Sequence, residues 1–511
     1  MKSSTLQRQV MHFFIPLGFA VFILAKLIHS HIWVPRKIQL HFRKQGIEGP
    51  EHRPIVGNSL DIRDLSARAL SKPMLLSHDI LSRVVPFYHT TSALYGKNFL
   101  FWFGNKPRLA VYDKDIIKDA LLNTNGAIER TKVNPSAKVL LGDGLIALAG
   151  GEKWALHRRM ANQAFKSNWG WIPEIVASTD QMLEKWETER GGKEEFELEV
   201  SKEVHLLTAD ILSRTAFGSS FEEGKQIFEN QEKLMALTSL AFRSIYIPGF
   251  RFLPTRKNLE RWRLEKKVHE SIRRLMEMNG KREENSRNLL SLMMSTYKNQ
   301  DGKEERLRPD EVIDECKTFY VAGKETSGNF MSWALLCLAM HPEWQIKARE
   351  EVTRVLKNNK APTAEDLNEL KTIMLITNET LRLYPPIVML TRETTRDIRL
   401  GKIDVLAGTE LFLSQIAVHR DPEIWGSDAN DFNPSRFNEP KKHLASSFPF
   451  GLGPRFCVGQ SLALVEAKVG LAMIIKNYSF EVSPTYVHAP MHLMTLRPQY
   501  GVQLRFRKIP S

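Results

Sequence analysis

The chain has 511 residues with 72 Lys+Arg against 58 Asp+Glu, a formal net charge of +14, and it is 42% hydrophobic, 25% charged and 9% aromatic. That balance is globular and excludes a disordered chain, and the basic surplus, without a Lys/Arg-rich tail or arm, points to a membrane surface or an acidic protein partner and not to nucleic acid. Three cysteines, Cys316, Cys337 and Cys457, without CxxC spacing, argue against a disulfide-stapled secreted scaffold and a cysteine-based zinc module, and fit a reducing compartment.

At the amino end, residues 10–25 are uncharged and apolar, and beyond Lys26 the apolar character resumes through Leu27, Ile28, Ile32, Trp33 and Val34. Spanning a bilayer takes about 20 mostly apolar residues, so residues 10–34 read as a membrane anchor with Lys26 snorkelling near the interface. A cleaved signal peptide competes with this reading, but the stretch is long for one and no A-x-A-like site follows. Arg36, Lys37, Arg43, Lys44 and Arg53 follow the segment while only Lys2 and Arg8 precede it, which places the bulk of the chain in the cytosol. The expected division is an anchor over residues 1–35 and one globular domain over residues 36–511.

Residues 46–57 hold Gly46, Gly49, Gly57, Pro50 and Pro54 and read as a stiff hinge. Two aromatic or β-branched runs, residues 98–103 and 109–112, flank a Gly-Asn-Lys-Pro turn and predict a hairpin. From Lys153 to about Lys357 the spacing is mostly helical, interrupted by polar segments at residues 279–285 and 298–305. An apolar loop over residues 245–253, flanked by Arg243, Arg256 and Lys257, is either an interfacial segment or a buried connection between helices. Arg308-Pro309-Asp310-Glu311 opens the longest predicted helix, with proline at a tolerated first-turn position and acids at the positive dipole end, running to Met340. Its middle carries Ala322-Gly-Lys-Glu-Thr-Ser327, where a helix-weakening glycine stands beside an acid and two hydroxyls.

Residues 448–460 read FPFGLGPRFCVGQ and lead into a helical run. Glycines let backbone approach a ligand closely, while amide N–H groups and a helix dipole stabilise negative sulfur, so Cys457 suits a thiolate ligand. A buried structural cysteine is the alternative. A phosphate loop is weaker, since Gly451-x-Gly453 lacks a third glycine and a preceding strand. His488-Ala-Pro-Met-His492 has histidines at i and i+4, but Pro490 breaks the helix that a zinc site of this type needs.

The cysteine loop resembles the haem-binding signature F-x-x-G-x-R-x-C-x-G of the cytochromes P-450, met by Phe450, Gly453, Arg455, Cys457 and Gly459. In the order that the family uses, Trp154-Ala-Leu-His-Arg158 is similar to W-x-x-x-R, residues 322–327 to [AG]-G-x-[DE]-T-[TS], Glu379-Thr-Leu-Arg382 to E-x-x-R, and Phe432-Asn-Pro-Ser-Arg436-Phe437 to the P-x-R-F segment. The resemblance implies a mainly α fold with small β-sheets and a haem-dependent monooxygenase inserting one oxygen atom of O2 into a small apolar substrate. Haem b is the implied cofactor, with Cys457 as its axial iron ligand and Phe450 in the cofactor-binding loop. Trp154, Arg158, Arg392 and Arg455 match positions that donate to the propionates, a use suited to charge-assisted donors. Glu325 and Thr326 match the pair that delivers protons, and Gly323 the position that leaves room for dioxygen. Glu379, Arg382 and Arg436 are implied to brace the segment presenting the cysteine.

Residues 247–255, 340–345 and 486–490 look like the plant seventy-two clan, the non-A-type branch, whose members act on isoprenoid-derived molecules including brassinosteroids, gibberellins, cytokinins and triterpenoids. By the same resemblance the distal pocket is lined by residues 139–141, Phe319, Tyr320 and residues 387–390. The implied partners are an NADPH-cytochrome P-450 reductase with an acidic docking face and membrane lipid, with no nucleic acid, and the implied location is the endoplasmic-reticulum membrane, single-pass, with the catalytic domain cytosolic. Two rivals keep Cys457: a haem-thiolate isomerase or dehydratase that does not use O2, and a non-catalytic haem-binding protein.

Overall fold

A computed structural model describes residues 17–165, 168–218, 221–242, 246–247, 249–280, 288–298, 302, 304–357, 361–439 and 443–510. The first helix, α1 (Leu17–Arg43), has 27 residues and none of its apolar window is buried against the rest of the chain. At 1.5 Å per residue it is about 40 Å long, enough to cross a bilayer. Residues 10–16 of the expected anchor lie outside the described residues.

Three strands follow: β1 (Phe99–Phe103), β2 (Lys106–Val111) and β3 (Ile128–Arg130). Then come α2 (Gly151–Ala164), α3 (Ile172–Arg190), β4 (Glu195–Glu199), α4 (Val200–Phe217), α5 (Phe221–Phe242) and α6 (Arg256–Asn279). The central helix is α7 (Pro309–Met340), followed by α8 (Pro342–Val355), α9 (Lys371–Leu383), β5 (Leu390–Thr394) and β6 (Glu410–Leu413). The chain closes with α10 (Gln460–Asn477), β7 (Tyr478–Val482), β8 (Pro490–His492), β9 (Leu496–Pro498) and β10 (Gln503–Lys508).

The predicted hairpin is β1 against β2, and it seeds a five-stranded sheet ordered β1-β2-β6-β5-β3, in which β6 runs parallel to β2 and the other pairs are antiparallel. The expected hinge is strapped to this sheet. Leu100 N donates to Glu48 O at 2.9 Å, and a Cβ on Gly49 would stand 1.8 Å from Leu100 O, so only glycine fits there.

The longest predicted helix is α7, and its 32 residues extend about 48 Å through the core. Glycine in its middle serves helix packing: a Cβ on Gly323 would lie 3.0 Å from Leu212 Cδ1 of α4, and one on Gly328 would lie 2.8 Å from the His205 ring of the same helix. A short hairpin, Tyr297–Lys298 against Glu304–Glu305, falls at the polar interruption expected at residues 298–305, and a further strand interrupts the stretch read as helical. Residues 195–199 alternate Glu-Phe-Glu-Leu-Glu, with Phe196 and Leu198 buried, and this period of two makes β4 an edge strand of the sheet β7-β10-β4.

A buried polar cluster fastens the residues before β1 to the carboxyl half. His78 Nδ1 and the Tyr384 hydroxyl share a hydrogen bond at 2.8 Å, and His78 Nε2 lies 2.9 Å from His341 Nε2. His488 Nε2 donates to Ser77 O at 2.9 Å, and its Nδ1 meets the Tyr486 hydroxyl at 2.8 Å. Burial first, and neighbouring positive groups second, lower His78 to about 3; burial likewise lowers His488 to about 4, against an opposing hydrogen bond to Ser77. Both pKa values are depressed on folding, so below pH 6.5 the unfolded chain takes up protons that the folded one refuses, and stability falls with acidification down to about pH 4. Each histidine contributes up to about 1.4 kcal/mol per pH unit in that window. His488→Gln is therefore expected to flatten the decline in unfolding free energy between pH 6.5 and 4, measured by denaturant titration at several pH values. An unchanged slope would contradict this assignment.

Candidate functional site

The cysteine loop closes on itself before α10 begins. Cys457 N donates to Phe450 O at 2.8 Å and Gly451 N to Phe448 O at 2.8 Å, around a single 3-10 turn at Gly453–Arg455. Gly451 and Gly453 stand at φ +75° and +70°, and a Cβ on Gly453 would lie 2.2 Å from Leu121 O. Cys457 is exposed on the wall of a cavity of about 710 Å3. Burial pushes its thiol up, while the Gly459 amide and the Arg158 charge pull it back.

Around the same cavity the fold gathers Trp154, Arg158, Arg392, Phe450 and Arg455 and adds Arg130, which no sequence motif singled out. Arg158 Nη1 donates to Phe456 O at 2.7 Å and its guanidinium lies over the Phe456 ring. Arg455 donates to the carbonyls of Leu148 and Ala149 and stacks on Trp154 at 4.4 Å. Arg130 and Arg392 are direct cross-strand partners between β3 and β5, an arrangement that is unfavourable for like charges. Burial lowers Arg130, Arg392 and Arg455 each to about 10; the Arg455 charge adds to this at Arg130, Arg130 and Arg455 add at Arg392, and Glu129 opposes it at Arg455. All four guanidiniums stay charged at neutral pH. Among the described residues none of the four forms an ion pair within 4.0 Å, and Arg158 Nη2 is buried without a partner.

A buried truss stands behind the loop. Arg382 grips Glu379 through two bonds of 2.7 Å, both side chains being wholly buried, and its remaining donors reach the carbonyls of His419, Ala429 and Asp431. Arg436 Nε donates to Glu379 Oε1 at 3.1 Å and Asn433 N to the same oxygen at 2.8 Å. His419, also missed in the sequence, completes the link, because Phe448 N donates to its Nε2 at 3.0 Å. The three expected bracing residues thus meet, and they reach the cysteine loop through His419.

On α7, Thr326 borders the cavity and its hydroxyl donates to Ala322 O at 2.6 Å. The Glu325 carboxylate is buried, with Oε1 accepting from Asn329 Nδ2 at 3.1 Å and Thr495 Oγ1 at 3.0 Å. Burial opposes its ionisation, but His205, Arg497 and these two donors together hold its pKa below the usual carboxylate value. Gly323 borders the cavity through its backbone, while its missing side chain is explained by Leu212.

The apolar distal wall needs correction in detail. Leu141, Phe319, Ile387, Met389 and Leu390 line the cavity, whereas Val388 is fully buried in the core and Tyr320 stacks on Phe217 at 4.2 Å. Val139 packs in the cluster beneath α7 and Leu140 is fully buried there.

These features fit a haem. A sulfur of the kind that can bind iron lines a large apolar space, and guanidiniums without an ion pair line it beside a stacked indole, which suits a planar apolar macrocycle bearing two carboxylates. The sequence profile of the cytochrome P-450 family matches residues 76–506. Cytochrome P-450 734A1 of Arabidopsis thaliana is 42% identical over 495 residues, covering 94% of this chain and 93% of that protein. Cytochrome P-450 CYP72A219 of Panax ginseng is 39% identical over 500 residues, covering 95% of this chain and 96% of its own length. Among solved structures, the retinoic acid bound cyanobacterial CYP120A1 superposes with a TM-score of 0.76 at 20% identity, over 91% of this chain and 99% of that one.

Removing one partner of the truss would strand a buried charge, at a cost of about 3–5 kcal/mol. Arg382→Ala is expected to lower the unfolding free energy by that amount, whereas exposed Arg263→Ala, whose nearest carboxylate is a surface neighbour at 3.7 Å, should change it by less than about 1 kcal/mol. Equal effects in denaturant titrations would remove the truss from the account.

Proposed function

The chain belongs to the cytochrome P-450 family and is a monooxygenase of that family, and we propose that Cys457 is the axial ligand of its haem b and that its substrate is isoprenoid-derived. The observation that carries this reading is that a single cavity is lined both by the Cys457 loop and by Glu325 and Thr326 of α7. Arg130, Arg158, Arg392 and Arg455 would take the two propionates, with Trp154 bonded in the same corner and Phe450 fixing the loop through its carbonyl. When bound, the thiolate-ligated haem supplies activation of dioxygen.

The chain's own residues supply the rest. Thr326 holds a hydroxyl at the cavity edge, and Glu325 keeps a buried carboxylate one residue away, so a proton can be handed along α7 to the reacting oxygen. Apolar walls at Leu141, Phe319, Ile387, Met389 and Leu390 exclude water and hold a lipophilic skeleton by burial, worth roughly 25 cal/mol per Å2. The substrate class is the one that the resemblance to the plant seventy-two clan implied: a brassinosteroid-, gibberellin-, cytokinin- or triterpenoid-like molecule. Electrons come from an NADPH-cytochrome P-450 reductase, whose acidic docking face would suit a chain of net charge +14.

We place the protein on the endoplasmic-reticulum membrane, held by α1 and by the loop between α5 and α6. Ile247, Phe250, Phe252 and Leu253 of that loop are exposed, with Arg251 among them, which favours the interfacial reading over a buried connection; Arg243, Ile245 and Pro248 lie outside the described residues.

Cys457→Ser exchanges a soft anionic ligand for a neutral hydroxyl. The reduced, carbon-monoxide-treated variant is expected to lack the red-shifted thiolate Soret band that the parent protein gives. Retention of that band would overturn the ligand assignment. Removal of residues 1–34 is expected to weaken binding to phospholipid vesicles without abolishing it, and adding Phe250→Ser and Phe252→Ser should then release the chain. Complete release by the truncation alone, in a flotation assay, would remove the loop from the membrane contact.

A further inference from the structure

Four side chains approach the Glu325 carboxylate among the described residues. Asn329 and Thr495 donate hydrogen bonds to Oε1, Arg497 Nη1 stands 3.9 Å from Oε1, and His205 Nε2 stands 3.8 Å from Oε2. An amide and a hydroxyl do not ionise near neutrality and a guanidinium does not release its proton. Only the imidazole can both give and take one at physiological pH.

The fold is built around that ring. His205 comes from α4, and its Nδ1 bonds to Ser201 O at 2.6 Å, which fixes that nitrogen as the donor and leaves Nε2 turned to Glu325. The ring packs on α7 at Gly328, where a Cβ would approach its carbons to 2.8 Å, so any other residue at 328 would force the imidazole to shift. Its side chain is about one-fifth accessible, whereas that of Glu325 is nearly closed off. His205 therefore touches both solvent and the buried acid.

We propose that His205 is the positioning residue that reloads Glu325 with protons from solvent, an inference that rests on the monooxygenase reading above. The imidazolium passes its Nε2 proton to Glu325 Oε2, leaving a neutral ring held through Nδ1–H to Ser201 and a neutral carboxyl. The carboxyl gives the proton up toward Thr326 and the cavity, and Nε2 takes a replacement from water that reaches the partly accessible ring. One proton moves inward per cycle and no oxidant or reductant is consumed. At 3.8 Å the pair is just outside hydrogen-bond range, so transfer needs a side-chain shift of about 1 Å. Arg497 keeps the acid ionised between transfers. The charged groups facing the ring from neighbouring elements are Glu325 and Lys324 on α7 and Arg497 on β9; burial lowers the imidazole's pKa, Glu325 and the Ser201 carbonyl raise it, Lys324 and Arg497 lower it further, and the net shift is downward.

Two measurements test this. In the reduced, carbon-monoxide-bound holoprotein labelled with 13C-histidine, with the signal assigned by its loss in His205→Gln, His205 is expected to titrate, and Glu325→Gln should lower its proton affinity about tenfold. A His205 titration indifferent to Glu325→Gln would overturn the proposal. In turnover with reductase, His205→Gln should lower product per NADPH about tenfold, raise peroxide release, and flatten the pH profile while leaving the thiolate Soret band in place. Unchanged coupling with that band intact would also overturn it. Should His205→Gln fail to hold haem, the Glu325→Gln shift, with the histidine signal followed in the parent chain, still decides. Absence of the thiolate band from the unsubstituted protein would instead sink the monooxygenase reading, and the coupling of His205 to Glu325 would stand on its titration alone.

Discussion

Positive charge crowded onto one wall of an apolar cavity is the constraint to which the rest of the site answers. Arg130 and Arg392 face each other across adjacent strands, and Arg158 and Arg455 approach from α2 and from the cysteine loop. Their electrostatic repulsion grows as water is excluded, and the Glu129 carboxylate offsets part of it at Arg455. Backbone carbonyls and the Trp154 ring satisfy part of the guanidinium demand, but they carry no net charge. A bound dianion would supply a counter-charge here, and the apolar cavity that these residues line favours one carried on an apolar skeleton.

The cysteine loop is held in place by buried polar bonds to α9 and to residues 419–436. Arg382 collects Glu379 and three carbonyls between His419 and Asp431, and His419 hands the geometry on to Phe448, at the mouth of the cysteine loop. Gly453 lets that loop lie against Leu121 O. The cysteine is thereby presented by a rigid support, which favours ligand binding through preorganisation.

What the sequence disclosed were the residues whose chemistry is tied to a fixed local spacing. Cys457 among glycines, Glu379 with Arg382, and Trp154 with Arg158 each lie within a single turn or loop. Arg130 was invisible because its role arises only when β3 pairs with β5 in a register that no short motif encodes. His205 on its own reads as one more polar residue on a half-buried helix; it acquires a partner only because Gly328 of another helix makes room. Orientation within an element was the other loss. Val388 and Met389 are neighbours with the same composition signal, yet one is buried in the core and the other lines the cavity. The alternation in residues 195–199 was legible, and was overlooked inside a stretch read as helical.

Recognition of a bound porphyrin's carboxylates would fall to the arginine wall. It is tested most directly by comparing the affinity of the haem-stripped chain for iron protoporphyrin IX and for its dimethyl ester, which keeps the macrocycle and the iron but removes both charges. Loss of at least two charge-assisted contacts, each worth about 1.5–3 kcal/mol, should weaken binding of the ester by roughly a hundredfold or more. Equal affinity for the two compounds would contradict the account.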